Sequence, residues 1–160
     1  MVHTIKEDDL IKNILASAKT IAMVGISSIK KEMSTNIKRR PSIIVMKYLQ
    51  EFGYRVIPVN PFSVGKEIYG ETVVAKLEDI KIPVDIVDVF RPSIEAPMLA
   101  KQVVKIKAKV FWLQYGIQNE EAEKIVKLEN ITCIANRCIK QEYQRLFLKV
   151  SPVFPALKRK

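Results

Sequence analysis

Strand-like and helix-like segments alternate along most of this chain, and the first strand-like run, Thr20-Ile-Ala-Met-Val-Gly25, is apolar almost throughout. A short run of that kind buries both faces of its strand, as the strands of parallel sheets do. Further strands are expected at Tyr54 to Val59, Val84 to Phe90, Lys109 to Leu113 and Ile131 to Ala135, with a short edge strand at Thr72 to Val74 beyond a turn at Tyr69-Gly70-Glu71. Between them the spacing turns helical. Leu10, Ile11, Ile14, Leu15 and Ala18 form one stripe, and Ile44, Val45, Tyr48, Leu49 and Phe52 form another between Pro41 and Gly53. A third helix follows Arg91-Pro92-Ser93 and runs to about Lys107, with Pro97 near its start. Asn119 caps a fourth, with Glu120 and Glu121 in its first turn, and a short one closes the pattern at Gln141 to Leu148.

Strand–helix alternation demands right-handed crossovers that lay helices on both faces of a parallel sheet. The expected fold is therefore α/β: a single doubly wound Rossmann-like domain with a five- or six-stranded, mostly parallel sheet and helices on both faces. The 160 residues suffice for one substantial core. The domain is expected over 1–150, its N-terminal helix at 7–18 included, with a basic, mobile tail over 151–160. Glu7, Asp8 and Asp9 precede any apolar run, which does not fit a signal peptide, and no segment approaches the roughly 18 apolar residues of a membrane span. Cys133 and Cys138 make no disulfide framework, and the lone histidine, His3, leaves them without zinc partners. These features point to a soluble cytoplasmic protein.

The formal net charge of +10 favours anionic partners, although scattered lysines also serve solubility. The tail Lys158-Arg159-Lys160 is one concentration of charge. The other, Lys30, Lys31, Lys38, Arg39 and Arg40, lies between the first strand and the helix opening at Pro41. Doubly wound sheets bind ligands beyond the carboxyl ends of their strands, and a helix N-terminus there attracts phosphate. The loop reads Gly25-Ile-Ser-Ser-Ile-Lys30, with one glycine where dinucleotide sites show three. The second strand ends at Asn60-Pro61, without the acid that holds the ribose diol of NAD. A ribose carrying a phosphate would be repelled by such an acid, so coenzyme A or NADP fits better. Lys66 stands near enough in sequence to meet that phosphate, although a solvated lysine is the commoner reading of such a residue.

Taken together, Val24-Gly25-x-Ser27, Arg40-Pro41-Ser42, Lys47-Tyr48-Leu49, Gly53-Tyr54-x-Val56-Ile57-Pro58-Val59-Asn60-Pro61, Val84-Asp85-x-Val87-Asp88-Val89-Phe90-Arg91, Trp112-Leu113-Gln114-x-Gly116 with Asn119-Glu120, and Arg137-Cys138 resemble the small free-standing CoA-binding proteins of bacteria and archaea. Those are relatives of the nucleotide domain in the succinyl-CoA synthetase α subunit. The resemblance spans about Ile21 to Leu148 and implies a Rossmann-like fold with coenzyme A as ligand. It implies that Gly25, Ser27 and Ser28 line the phosphates, that Arg40 and Ser42 stand at the helix entrance, and that Asn60 and Pro61 lie beside the adenosine. Phe90, Arg91 and Pro92 would border the nucleotide further along. Two departures stand out: Asn136 replaces the usual Asp before Arg137-Cys138, and the loop between Ser28 and Arg40 is longer.

Catalytic machinery is sparse. With only His3 there is no Ser-His or Cys-His pair, and Asp85 and Asp88, three apart on one strand, face opposite ways. Asp88 is expected to be a structural hydrogen-bonding group. Trp112 reads as core, with Gln114 and Gly116 facing the ligand. Cys138, beside Arg137 and Lys140, is either a small buried residue or a reactive thiol near the ligand's distal end. The leading function is a non-catalytic protein that binds coenzyme A or acyl-CoA as a carrier, a sensor or a partner subunit, itself a homo-oligomer or joined to a partner enzyme. The alternative is an acyl-CoA- or NADP-dependent enzyme that needs a partner chain for catalysis. A nucleic-acid-binding protein is the third reading, motivated by charge alone and supported by no motif.

Overall fold

A computed structural model describes residues 5–26 and 41–149. Five strands form one sheet: β1 (Thr20–Val24), β2 (Arg55–Val59), β5 (Ile86–Val89), β6 (Val110–Leu113) and β7 (Thr132–Ile134). Their order is β2-β1-β5-β6-β7 and every pairing is parallel. The register sets Val24 level with both Val59 and Val89, so three strands end together at one edge.

The apolar runs explain this stacking. Ile21 and Met23 point into one core with Ile86, Val110 and Trp112, while Ala22 and Val24 point into another with Val87, Val89 and Phe111. Helices α1 (Ile5–Ser17), α2 (Pro41–Glu51) and α5 (Ile139–Tyr143) cover the first core. Helices α3 (Ala96–Ile106) and α4 (Glu120–Lys127) cover the second. Both faces are thus dressed, as expected of a doubly wound sheet.

Three expectations are refined. The edge strand at 72–74 does not join the main sheet: β3 (Glu67–Ile68) and β4 (Glu71–Thr72) form a separate antiparallel hairpin, and Val74 makes one bridge to Val59. Tyr69 and Gly70 both adopt positive φ, 46° and 85°, the backbone that a two-residue hairpin turn requires. On α2 the buried stripe is Ser42, Val45, Met46 and Leu49. Ile44 is exposed, and Tyr48 and Phe52 pack instead with Tyr143 of α5. The closing helix begins at Ile139, and Gln144–Leu148 continues it in wider π turns. Asn119 caps α4 as expected, its side-chain oxygen accepting from the Ala122 N–H at 2.9 Å. Among the described residues no helix is long and apolar enough to cross a membrane.

Candidate functional site

The chain leaves β1 toward β2 on one side and later returns to β5 on the other. Strand order reverses there, and a crevice lies beyond the carboxyl ends of β1 and β5. Gly25 sits at its base with φ of 93°, its N–H donating to the Val59 carbonyl at 3.1 Å. A Cβ on this residue would stand 2.8 Å from Arg91 Cδ and 3.2 Å from the Phe90 carbonyl carbon. Only glycine admits both that backbone and that close approach.

A cleft of about 350 Å³ opens beside Gly25 on the α3 face. Val24, Val59, Leu77 and Leu99, all buried, make its apolar floor, and Asn60, Pro61 and Phe62 form one wall. Asn60 helps build the cleft: its Nδ2 donates to the Ile26 carbonyl at 2.9 Å and its Oδ1 accepts from the Phe62 N–H at 2.8 Å. It thereby pins the loop after β1 to the loop after β2. Arg91 and Glu95 form the opposite lip, joined by two hydrogen bonds of 3.0 and 2.6 Å. Those bonds from Arg91, against a smaller opposing effect of burial, hold the Glu95 carboxyl below its ordinary value. Lys76 adds an exposed cation at the mouth.

Of the residues expected at the site, Gly25, Asn60, Pro61 and Arg91 meet around this cleft. Phe90 packs toward the α1, α2 and α5 side of the sheet, and Pro92 starts the turn that leads into α3. Lys66 is exposed in the turn before β3, and it is Lys76 that borders the cleft. Ser42 is buried in the first turn of α2. Gln114 is buried, and its Oε1 accepts from the Ile139 N–H at 3.1 Å, so the side chain caps α5. The Gly116 N–H donates to Asn136 Oδ1 at 2.7 Å, and Asn136 has φ of 59°. That conformation suits asparagine and accounts for its presence before Arg137. Cys138 is half-buried at the start of α5. The neighbouring Arg137 guanidinium is paired with Glu7 at 2.8 Å and Glu142 at 3.7 Å. Ser27, Ser28 and Arg40 lie outside the described residues, as do His3, the other basic residues of that loop and the tail.

Phe62, Lys76, Met98, Leu99 and Gln102 border the cleft with no motif to announce them. The one available signal was Phe62 following Asn60-Pro61. The rest come from a segment of mixed pattern and from a helix whose orientation pairing alone decides.

Two titratable groups shielded from water complete the electrostatics. Asp88 is wholly buried between its strand neighbours Met23 and Trp112, and neither carboxyl oxygen has a hydrogen-bond partner among the described residues. The expected structural hydrogen bond is therefore missing, and burial raises its pKa well above the ordinary carboxyl range. Partial burial likewise pushes the half-buried Cys133 thiol up to about 12, which favours the protonated form. Among the described residues no cluster of histidine, cysteine and acidic side chains could hold a metal.

Residues 19–144 match the sequence pattern of a family described as "CoA binding domain". The chain is 41% identical over 130 residues to the uncharacterized protein YneT of Bacillus subtilis (strain 168), covering 81% of this chain and 89% of that one. It superimposes on the structure of cell-free ID.343 from Thermus thermophilus with a TM-score of 0.78 at 43% identity, covering 88% of this chain and 98% of the other. A dinucleotide-forming acetyl-coenzyme A synthetase 1 of Ca. Korarchaeum cryptofilum shares the fold, with a TM-score of 0.57 at 22% identity. That match takes in 74% of this chain and 26% of the synthetase chain.

Proposed function

The chain belongs to the CoA binding domain family, and from that premise we propose that it binds coenzyme A or an acyl-CoA across the crevice at Gly25, as a carrier, sensor or partner subunit without chemistry of its own. The observation that carries this reading is the cleft at the switch point, with an apolar floor, Lys76 and the Arg91–Glu95 pair at its rim and no acid at the end of β2. Such a site suits a ligand with a flat base at one end and phosphates at the other. Gly25 leaves room for a diphosphate to approach the backbone. Ser27, Ser28 and Arg40 are proposed as its further partners from the family resemblance, with Ser42 at the helix entrance. Phe90 and Pro92 would border the ligand, and Gly116 and Cys138 would lie toward its distal end.

What supports a holding role is the fate of the polar groups. Gln114 and Asn60 each commit an amide oxygen to structure, Arg137 is paired with carboxylates, and Asp88 is walled in. None is poised as a base beside a nucleophile, the arrangement that acyl transfer needs.

Isothermal titration of the purified protein with coenzyme A, together with mass spectrometry of any ligand released on denaturation, tests the reading. Saturable one-site binding, with coenzyme A raising the melting temperature more than NAD does, is expected. Absence of binding at millimolar coenzyme A, or co-purification with a nicotinamide cofactor instead, would overturn it.

A further inference from the structure

We infer that the face of the sheet opposite the cleft, where α2 meets the closing helix, is a docking surface for single-stranded nucleic acid. Rings from the two helices form a row there. Tyr48 and Phe52 of α2 lie with centroids 4.8 Å apart, Phe52 and Tyr143 likewise, and Tyr143 and Phe147 stack at the same separation. None of the four is fully buried, and Phe52 is 40% exposed. Tyr69 of the hairpin turn extends the row; its carbonyl accepts from Gln50 Nε2 of α2 at 3.2 Å, and its side chain is exposed. Packing of the closing helix onto α2 accounts for the contacts between rings. What sets the face apart is charge: Lys12 stands 5.6 Å from the centre of the Phe147 ring, Lys47 5.3 Å from that of Tyr69, and Lys140 5.1 Å from that of Tyr48.

The acids nearby are committed to other cations or do not reach these. Glu51 is held by Lys47 at 3.6 Å, and Asp8 and Glu142 by Arg145 at 2.8 and 2.7 Å. Among the described residues no carboxylate lies within 4 Å of Lys12 or Lys140. Exposed Lys149 follows the last turn of the closing helix, and the sequence runs on from it to Lys158-Arg159-Lys160. A second copy of this chain, or its own basic tail, would bring like charge to the face, so charge complementarity selects an anionic partner. Rings in a row beside cations suit a strand with unpaired bases, which stack on aromatic side chains while the phosphates meet ammonium groups. A duplex hides the faces of its bases and would use the lysines alone. An acidic peptide would use the lysines without needing flat rings.

Fluorescence anisotropy with labelled oligothymidine of about 15 nucleotides, and with a duplex of equal length, tests this. Wild type should bind the single strand more tightly than the duplex. Phe52→Ala and Phe52→Leu should each weaken the single strand by about tenfold, as the loss of one stacked base does. The leucine variant keeps the apolar packing, so an unchanged melting temperature is expected to show it folded. Lys12→Gln/Lys140→Gln should flatten the slope of log affinity against log salt by about 1.4, as two lost phosphate contacts to a single strand do. The matched pair Lys101→Gln/Lys127→Gln, exposed on α3 and α4, should leave that slope unchanged. Saturating coenzyme A should leave oligothymidine affinity unchanged, because the cleft lies on the other face; this inference and the functional reading therefore fail separately. Equal affinity for strand and duplex, equal slope changes in the two lysine pairs, or undiminished affinity in folded Phe52→Leu overturns it. So does competition by coenzyme A, displacement by polyglutamate as readily as by unlabelled oligothymidine, or no binding at about 50 mM salt.

Discussion

Gly25 answers two demands at once, a left-handed backbone and the closeness of Arg91, and neither can be met by a side chain. In Gly25→Ala the methyl would meet Arg91 Cδ at 2.8 Å while the backbone stays at φ of 93°. The backbone alone costs about 1–2 kcal/mol, and moving Arg91 disturbs the lip of the cleft. We expect a lower melting temperature and weakened ligand binding together, read by thermal denaturation and titration. Asp88 poses the opposite case, a residue whose local chemistry disagrees with its surroundings. Its raised pKa means that the native state keeps a proton which the unfolded chain releases. The neutral acid's contribution is therefore intact below the ordinary carboxyl range and is lost as pH rises toward the folded value. Asp88→Asn keeps the shape and removes the titration. Its stability relative to wild type should increase with pH in urea denaturation curves. A constant difference from acid to mildly alkaline pH would show that Asp88 is not a buried neutral acid.

Helices in this molecule are held by side chains that come from elsewhere. Asn119 caps α4 through Ala122 and also donates to the Ser93 carbonyl at 3.1 Å, while Ser93 Oγ accepts from the Gln118 N–H. One residue thus secures a helix start and ties it to the turn before α3. Asn119→Ala should cost about 1–2 kcal/mol in denaturant unfolding, more than a cap alone if the link to Ser93 matters. On the opposite face of the sheet, α1 is fastened to the closing helix and to Arg137 before it by carboxylates and guanidinium groups. Glu7 meets Arg137 at 2.8 Å, and Asp8 and Glu142 both meet Arg145, at 2.8 and 2.7 Å. Arg137 and Glu142 are each only 7% exposed. Removing Arg137 leaves Glu142 to Arg145 and leaves partly exposed Glu7 without this partner, a loss of about 1–3 kcal/mol. Arg137→Met should therefore unfold at markedly lower denaturant, whereas a loss under 1 kcal/mol would assign the pair to solvated surface.

The molecule as a whole carries a formal charge of +10, and its proposed ligand is an anion. Long-range attraction between the two is screened as the Debye length shrinks from about 30 Å at 0.01 M salt to about 8 Å at 0.15 M. Coenzyme A affinity should fall by about an order of magnitude across that range, mostly through the association rate. Stopped-flow binding at several salt concentrations checks this, and a flat response would confine recognition to contacts inside the cleft. The fold puts the same surplus of charge to local use. Arg91 and Arg145 are matched by carboxylates of their own chain, and Lys76 is left over beside an apolar slot.

Read alone, the sequence determined the alternation of strands and helices, the parallel sheet with two covered faces, the cap at Asn119 and the special place of Gly25. Each of these rests on local properties: an apolar run, a helical period, a short polar side chain before a helix, a glycine after a strand. The landmarks Asn60-Pro61 and Arg91 were legible for the same reason, since they follow strand ends. What the tertiary structure decided is partnership. The order β2-β1-β5-β6-β7 draws the end of β1, the loop after β2, Lys76 and α3 together from across much of the chain. It commits Asn60 to Ile26, Gln114 to α5, Arg91 to Glu95 and Arg137 to Glu7, and it leaves Asp88 with none. It also replaces Lys66 by Lys76 at the cleft, because the two-residue turn at Tyr69-Gly70 folds the intervening segment into its own hairpin. Spacing along a chain records which way a side chain faces, but only the crossovers determine what it meets there.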